Sequence, residues 1–252
     1  MRAENDHDFY RRSLEALSTA AIPFLVGGAY ALGHHAGIHR ETKDLDLFIR
    51  KADGPAVIRL LQDLGAEAGV VARHWLGKGI REGSVIDVVW GFRNGVGKVE
   101  DDWFGRASFG TMFGVRVPFL SIEDMIWSKA FVMERDRYDG ADIAHLLRAG
   151  RASLDWRRLV ARFGPHWPVL LSFVILYRYV YPDEADPVPE AVERELIDRW
   201  MASRDVAGAP EEGPLCRGTL FSYHQYAVDL ERGHRDARLQ PEGSLAPDNL
   251  LE

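Results

Sequence analysis

Residues 24–49 read FLVGGAYALGHHAGIHRETKDLDLFI, and this stretch decides the fold. A short apolar run, Phe24-Leu25-Val26, meets a glycine pair, Gly27-Gly28. A small-residue segment of helical character follows, from Ala29 to about Ala36. A charged bend, His39-Arg40-Glu41-Thr42-Lys43, leads into Asp44-Leu45-Asp46-Leu47-Phe48-Ile49, which alternates as a strand does. Residues two apart on a strand share a face, so Asp44 and Asp46 project together while Leu45 and Leu47 point the other way. Paired carboxylates repel unless a cation lies between them, and Mg²⁺, with its preference for carboxylate and phosphate oxygens, is the simplest one.

Each part has a plainer reading by itself. A glycine pair after a strand is often only a tight turn, and an Asp-x-Asp can be a solvated strand edge. In combination they point further. A strand that ends in Gly-Gly at a helix start offers backbone N–H groups to a phosphate. Arg40, Thr42 and Lys43 stand just before the carboxylate pair and add cationic and hydroxyl contacts.

Downstream, Ser84-Val85-Ile86-Asp87-Val88-Val89-Trp90-Gly91 places one acid in a β-branched run. A buried Asp without a partner is costly. Asp87 is therefore either an outward residue of an amphipathic strand or part of a site with Asp44 and Asp46.

Gly27-Gly28 followed by Asp44-x-Asp46 resembles the signature of the polymerase-beta-type nucleotidyltransferase superfamily. The form GGAYAL…RETKDLDLF is most similar to small bacterial nucleotidyltransferase-like proteins, the antibiotic-modifying and toxin–antitoxin types among them. The resemblance implies that the glycine pair holds a nucleoside triphosphate (NTP). It also implies that Asp44, Asp46 and Asp87 are catalytic and bind two Mg²⁺ ions. The expected reaction moves a nucleoside monophosphate from the NTP, ATP among the candidates, to a hydroxyl acceptor and releases pyrophosphate. A small molecule, a tRNA end or a protein could carry that hydroxyl. The family also supplies an alternative, a catalytically weakened binding or antitoxin-type module. Metal-dependent glycosyltransferases share the Asp-x-Asp and are a third reading, which the upstream Gly-Gly disfavours. One departure stands out: fifteen residues separate Gly28 from Asp44, at the long end of the family's spacing.

The flanking sequence completes the fold. Residues 7–20 read as an amphipathic helix carrying Phe9, Leu14 and Leu17. Asp53-Gly54-Pro55 starts another, with Asp53 as N-cap and Val57, Leu60, Leu61 and Leu64 as its stripe. Residues 68–75 read as a strand and Gly77-Lys78-Gly79 as a turn. Residues 106–112 and 114–119 suggest a hairpin. At Ser121 the signals turn helical, with Ser121 and Asp124 as a capping box and Ile122, Ile126, Ala130 and Met133 on one face. Lys129, in mid-helix, is by the family resemblance a phosphate contact. Helices follow near 153–163, 167–181 and 187–203, then a loop over 204–219 and a helix within 221–239. The aromatic residues of this half read mostly as core.

The expected class is α+β: a small mixed sheet with flanking helices over residues 1–120, then a mostly helical region, 121–239. Residues 240–252 read as a flexible tail. A chain of 252 residues with 46% hydrophobic content supplies a core for this plan. Its net charge of −7 argues against an extended non-specific nucleic-acid surface. The single cysteine, Cys216, excludes an internal disulfide and a Cys-rich zinc site, and fits a cytoplasmic location. No signal-peptide core and no membrane-spanning run are read; Trp167 to Tyr181, interrupted by Arg178, reads as a buried helix.

Overall fold

A computed structural model describes residues 2–184, 187–203 and 213–238. The chain divides into two compact units, one running to Ser121 and the other spanning Ile122–Arg238. The tail expected at 240–252 and most of the loop expected at 204–219 lie outside the described residues.

The first unit runs in the order α1 (Arg2–Thr19), β1 (Leu25–Val26), α2 (Gly28–Ala36), β2 (Asp44–Phe48), α3 (Gly54–Asp63), β3 (Glu67–Ala72), β4 (Leu76–Arg81) and β5 (Ser84–Val89). It closes with α4 (Asp101–Phe104), β6 (Ser108–Met112) and β7 (Val115–Phe119). The seven strands form one sheet in the order β3-β4-β5-β2-β1-β7-β6. β2 pairs parallel to β5 and β1 parallel to β7, while the other neighbours are antiparallel. The fold is therefore α+β with a mixed sheet.

One face of this sheet is core. Leu45 and Leu47 of β2 and Ile86 and Val88 of β5 are fully buried. Leu14 and Leu17 of α1 and Val57 and Leu61 of α3 are equally buried, and both helices pack against this part of the unit. The register sets Leu45 beside Ile86 and Leu47 beside Val88. Alternation then sends Asp44, Asp46 and Asp87 to the other face.

Three local expectations change. Gly77-Lys78-Gly79 is not a turn but the middle of β4. A Cβ at Gly79 would stand 2.8 Å from Leu61 Cδ1, and one at Gly77 would stand 3.0 Å from Ile58 Cδ1. The glycines let α3 approach the sheet, a packing demand that looks like turn punctuation in the sequence. In α3 the buried stripe is Val57, Ile58 and Leu61, with Leu60 and Leu64 half-buried. Asp53 precedes that helix but makes no side-chain capping bond; its carboxylate lies 3.7 Å from Arg50.

The second unit is mostly helical: α5 (Ile122–Lys129), α6 (Gly140–Gly150), α7 (Trp156–Phe163), α8 (Trp167–Val180), α9 (Glu190–Ser203) and α10 (Tyr223–Glu231). A parallel two-residue pair, β8 (Leu215–Cys216) and β9 (Arg235–Asp236), joins them. The stretch Trp156–Val180 is apolar enough, at mean hydropathy 1.5, to suit a membrane span by composition. It is not one straight helix, because Gly164 at φ 44° and a short turn at 164–166 divide α7 from α8. Leu159, Phe163, Leu170, Phe173, Val174 and Tyr177 are core residues of this unit. Of the aromatic residues of this half, expected mostly in the core, Tyr179 and Trp200 are exposed. Met133 falls beyond the end of α5.

Asp124 does more than a capping residue would. Its fully buried carboxylate accepts from Arg158 at 2.8 Å and from Arg162 at 3.1 Å, tying α5 to α7. Removing the charge leaves two largely buried guanidinium groups poorly matched. Asp124→Asn is expected to lower unfolding stability by about 3 kcal/mol, read by urea denaturation followed through the tryptophans; a change below the error of the fit would refute this role.

Candidate active site

The site is built from the first turn of α2 and the neighbouring strands β2, β5 and β4. At Gly27 the backbone N–H donates to the Asp46 carbonyl at 2.9 Å, which fastens the β1–α2 turn to β2. A Cβ there would meet the Phe48 ring at 2.3 Å. Gly28 has φ 55°, and a Cβ on it would fall 1.8 Å from Asp46 Oδ2. No other residue fits that turn with Asp46 in place. The Asp46 carboxylate thus sits against the positive end of α2. Because the Gly27 N–H is engaged by the Asp46 carbonyl, it is not open to an anion.

The carboxylates follow from register. Asp46 is the Cα partner of Asp87 across the parallel β2–β5 pair, and Asp44 is two residues earlier on the same face. All three are half-buried; Asp46 and Asp87 each stand between two buried neighbours, and Asp44 between exposed Lys43 and buried Leu45. The Thr42 hydroxyl donates to the Asp44 carboxylate, and the hydroxyl of buried Tyr10 donates to the Lys43 carbonyl at 3.2 Å. Helix α1 thereby holds the bend in front of the acids. The side chains of Arg40 and Lys43 are exposed beside it, and Thr42 is half-buried.

β4 adds a residue that the sequence reading passed over. Lys78 is the Cα partner of Asp87, and its ammonium lies 3.1 Å from Asp87 Oδ1. That oxygen is buried and has no well-aligned hydrogen-bond donor. Burial pushes the Asp87 carboxyl above its ordinary pKa, Lys78 opposes the rise, and the Asp44 charge adds to it. The signal was available: in a strand, G-K-G turns two glycines to one face and the lysine to the other. Among the described residues no three His, Cys, Asp or Glu side chains are grouped so that together they could hold a metal ion. The donors on this face are nonetheless hard oxygens suited to Mg²⁺, one of them buried and lacking a directed donor.

Lys129 is placed in the second unit. Its ammonium is 2.9 Å from Asp139 and 2.8 Å from Asp142, and all three side chains are nearly buried. His34 and His35 have protein partners. His34 stacks on Phe119 with ring centroids 4.2 Å apart and lies 3.0 Å from the Ser108 hydroxyl. His35 Nε2 lies 2.6 Å from the Leu120 carbonyl. Asp236 pairs with Arg238, and the His234 ring lies 3.1 Å from the Asp229 carbonyl. The second unit also holds a cavity of about 300 Å³ edged by Phe131, His166, Val169, Arg217 and Phe221.

Two outcomes follow from this geometry. Gly28→Ala adds a methyl group where Asp46 sits and strains the backbone, so it should cost about 1–3 kcal/mol. A melting temperature equal to wild type would show that the turn tolerates a side chain. For Asp139, burial raises the carboxyl pKa, but Lys129 and then Arg137 outweigh it and hold the group below its usual value of 3.8. The stability it contributes is present above the unfolded-state pKa and is lost as pH falls through the lower folded value. Asp139→Asn should therefore flatten the decline in stability below about pH 4. Parallel acid limbs for the two proteins would exclude the ion pair as a source of that decline.

No curated protein matches the chain. The antibiotic-resistance factor ANT(2″)-Ia, solved with adenylyl-2″-tobramycin, is 15% identical; the match covers 70% of this chain and 99% of that one, with TM-score 0.43. The lincosamide adenylyltransferase LnuA, solved with lincomycin, is 20% identical over 56% of this chain and 94% of its own, with TM-score 0.40. JHP933 from Helicobacter pylori is 13% identical over 92% and 98%, with TM-score 0.39. Likeness this loose transfers no residue roles. The family model described as "uncharacterised nucleotidyltransferase" matches residues 7–166, which take in the whole sheet and the acids upon it. The chain belongs to that family and is a nucleotidyltransferase.

Proposed function

We propose that this enzyme moves a nucleoside monophosphate from an NTP to an acceptor hydroxyl with Mg²⁺ as cofactor. The observation that carries the reading is the β2–β5 register, which sets Asp46 beside Asp87 with Asp44 on the same face. Asp44, Asp46 and Asp87 would hold two Mg²⁺ ions, whose chemistry is to neutralise phosphate charge and lower the pKa of the acceptor hydroxyl. Gly28 and the following N–H groups of α2, with Arg40, Thr42 and Lys43, would bind the β- and γ-phosphates. Gly27 contributes by letting the turn lie close to β2.

Asp87 is the general base: its burial suits a carboxylate that must accept a proton. The acceptor's proton passes to Asp87 as the acceptor oxygen bonds to the α-phosphorus. The bond from that phosphorus to the bridging oxygen breaks, and pyrophosphate leaves with its electron pair. Lys129 enters only as the cation between Asp139 and Asp142, since a phosphate contact would require it to leave both carboxylates. The acceptor class is left to experiment, in which each labelled NTP with Mg²⁺ is incubated beside cell extract and the labelled species is identified.

The site itself is tested by Asp46→Asn, which keeps the side chain's size and removes its charge. Wild type should gain about 2.7 kcal/mol from Mg²⁺ at a hundredfold excess over its dissociation constant, and should release pyrophosphate. The variant should lose most of both while keeping its circular dichroism spectrum. Equal thermal shifts and equal release would return the acids to a solvated edge. A wild-type shift without release from any NTP, in the presence of extract, would favour the weakened binding module.

A further inference from the structure

Lys78 has no part in the reaction derived above, yet it faces the carboxylates directly. Its neighbours Gly77 and Gly79 pair with Val88 and Ile86 and lie under α3, so alternation fixes Lys78 on the acid-bearing face. Its ammonium stands 3.1 Å from Asp87 Oδ1, a buried oxygen with no aligned donor. The lysine side chain is one-third exposed and that of Asp87 is 17% exposed, so Lys78 can move toward solvent while Asp87 cannot. As they stand, the acids are not grouped so that together they could hold a metal ion.

We propose that Lys78 is a built-in counter-cation that a divalent ion must displace from Asp87. The inference rests on the reading of Asp44, Asp46 and Asp87 as metal ligands. An ammonium and a divalent ion on one carboxylate oxygen repel each other, so binding is an exchange in which one positive charge leaves as another arrives. The displaced ammonium keeps three donors and a flexible stem. On this face its available partners are the phosphate oxygens of a bound nucleotide. The exchange couples the two ligands: the metal alone binds against Lys78, and a triphosphate relieves that competition by giving the lysine a new anion.

The test uses Mn²⁺ as the probe ion, with free Mn²⁺ read by electron paramagnetic resonance. Lys78→Met should bind Mn²⁺ about tenfold more tightly than wild type without nucleotide, because a like charge has been removed. Lys78→Arg keeps the charge and should stay near wild type. Adding a non-hydrolysable ATP analogue should tighten Mn²⁺ binding more in wild type than in Lys78→Met. Asp46→Asn locates the ion: if it binds Mn²⁺ as wild type does, or if wild type binds none, the metal-site reading falls and this inference with it. If wild type binds, Asp46→Asn does not, and Lys78→Met binds no tighter than wild type, the exchange alone is overturned. A second measurement needs no variant. Reductive methylation of wild type, read by mass spectrometry at Lys78, should increase when Mg²⁺ is added without nucleotide, and unchanged or reduced labelling would overturn the exchange.

Discussion

Three carboxylates share one face of the β2–β5 pair because the other face is too apolar to let them be anywhere else. Leu45, Leu47, Ile86 and Val88 are all fully buried. A slip of one residue in either strand would turn its leucines or its Ile86–Val88 set toward water and its acids into the core. The hydrophobic effect thus fixes the position of charges that repel one another. The cost is moderated locally: Thr42 donates to Asp44, the start of α2 faces Asp46, and Lys78 stands beside Asp87.

The glycines serve the same constraint from the backbone side. At Gly28 the need is conformational as well as spatial, since φ is positive and Asp46 fills the space a side chain would take. At Gly77 and Gly79 the need is only spatial, and α3 is what fills the space. One pair brings a helix start to the carboxylates and the other lets a helix seat against the core. In β4 the second role has a by-product, because the residue between two core-facing glycines must face the acids. That residue is a lysine.

Much of this was legible in the chain. The alternation in Asp44–Phe48 and in Ser84–Val89 identifies both strands and the shared face of Asp44 and Asp46, and Gly27-Gly28 identifies the turn. Pairing between distant strands is not written in local pattern, so the placement of Asp46 beside Asp87 stayed conditional until the sheet order was known. Gly77-Lys78-Gly79 was misread because a glycine used for close packing looks the same in sequence as one used for a turn. The Gly27 N–H was assigned to phosphate because nothing local shows that the Asp46 carbonyl takes it. Lys129, expected in mid-helix, is the last residue of α5, and the usual fate of a lysine on a helix is exposure. Its burial between Asp139 and Asp142 depends on how α5 and α6 pack, which periodicity does not encode.

The Lys78–Asp87 pair also bears on how such a site survives before its ligands arrive. A protein whose acids could fold only around a metal would be unfolded without it, as small zinc domains are. Here the acids lie on strands whose other face is buried in the apolar core, and a cation from the neighbouring strand already stands beside Asp87. If these acids are metal ligands, as proposed, the fold would not depend on the ion, and an arriving ion would have to compete with a lysine. That contest would be decided by concentration and by whatever anion receives the displaced ammonium. A triphosphate would be such an anion, so on that proposal the same arrangement would favour binding metal and nucleotide together.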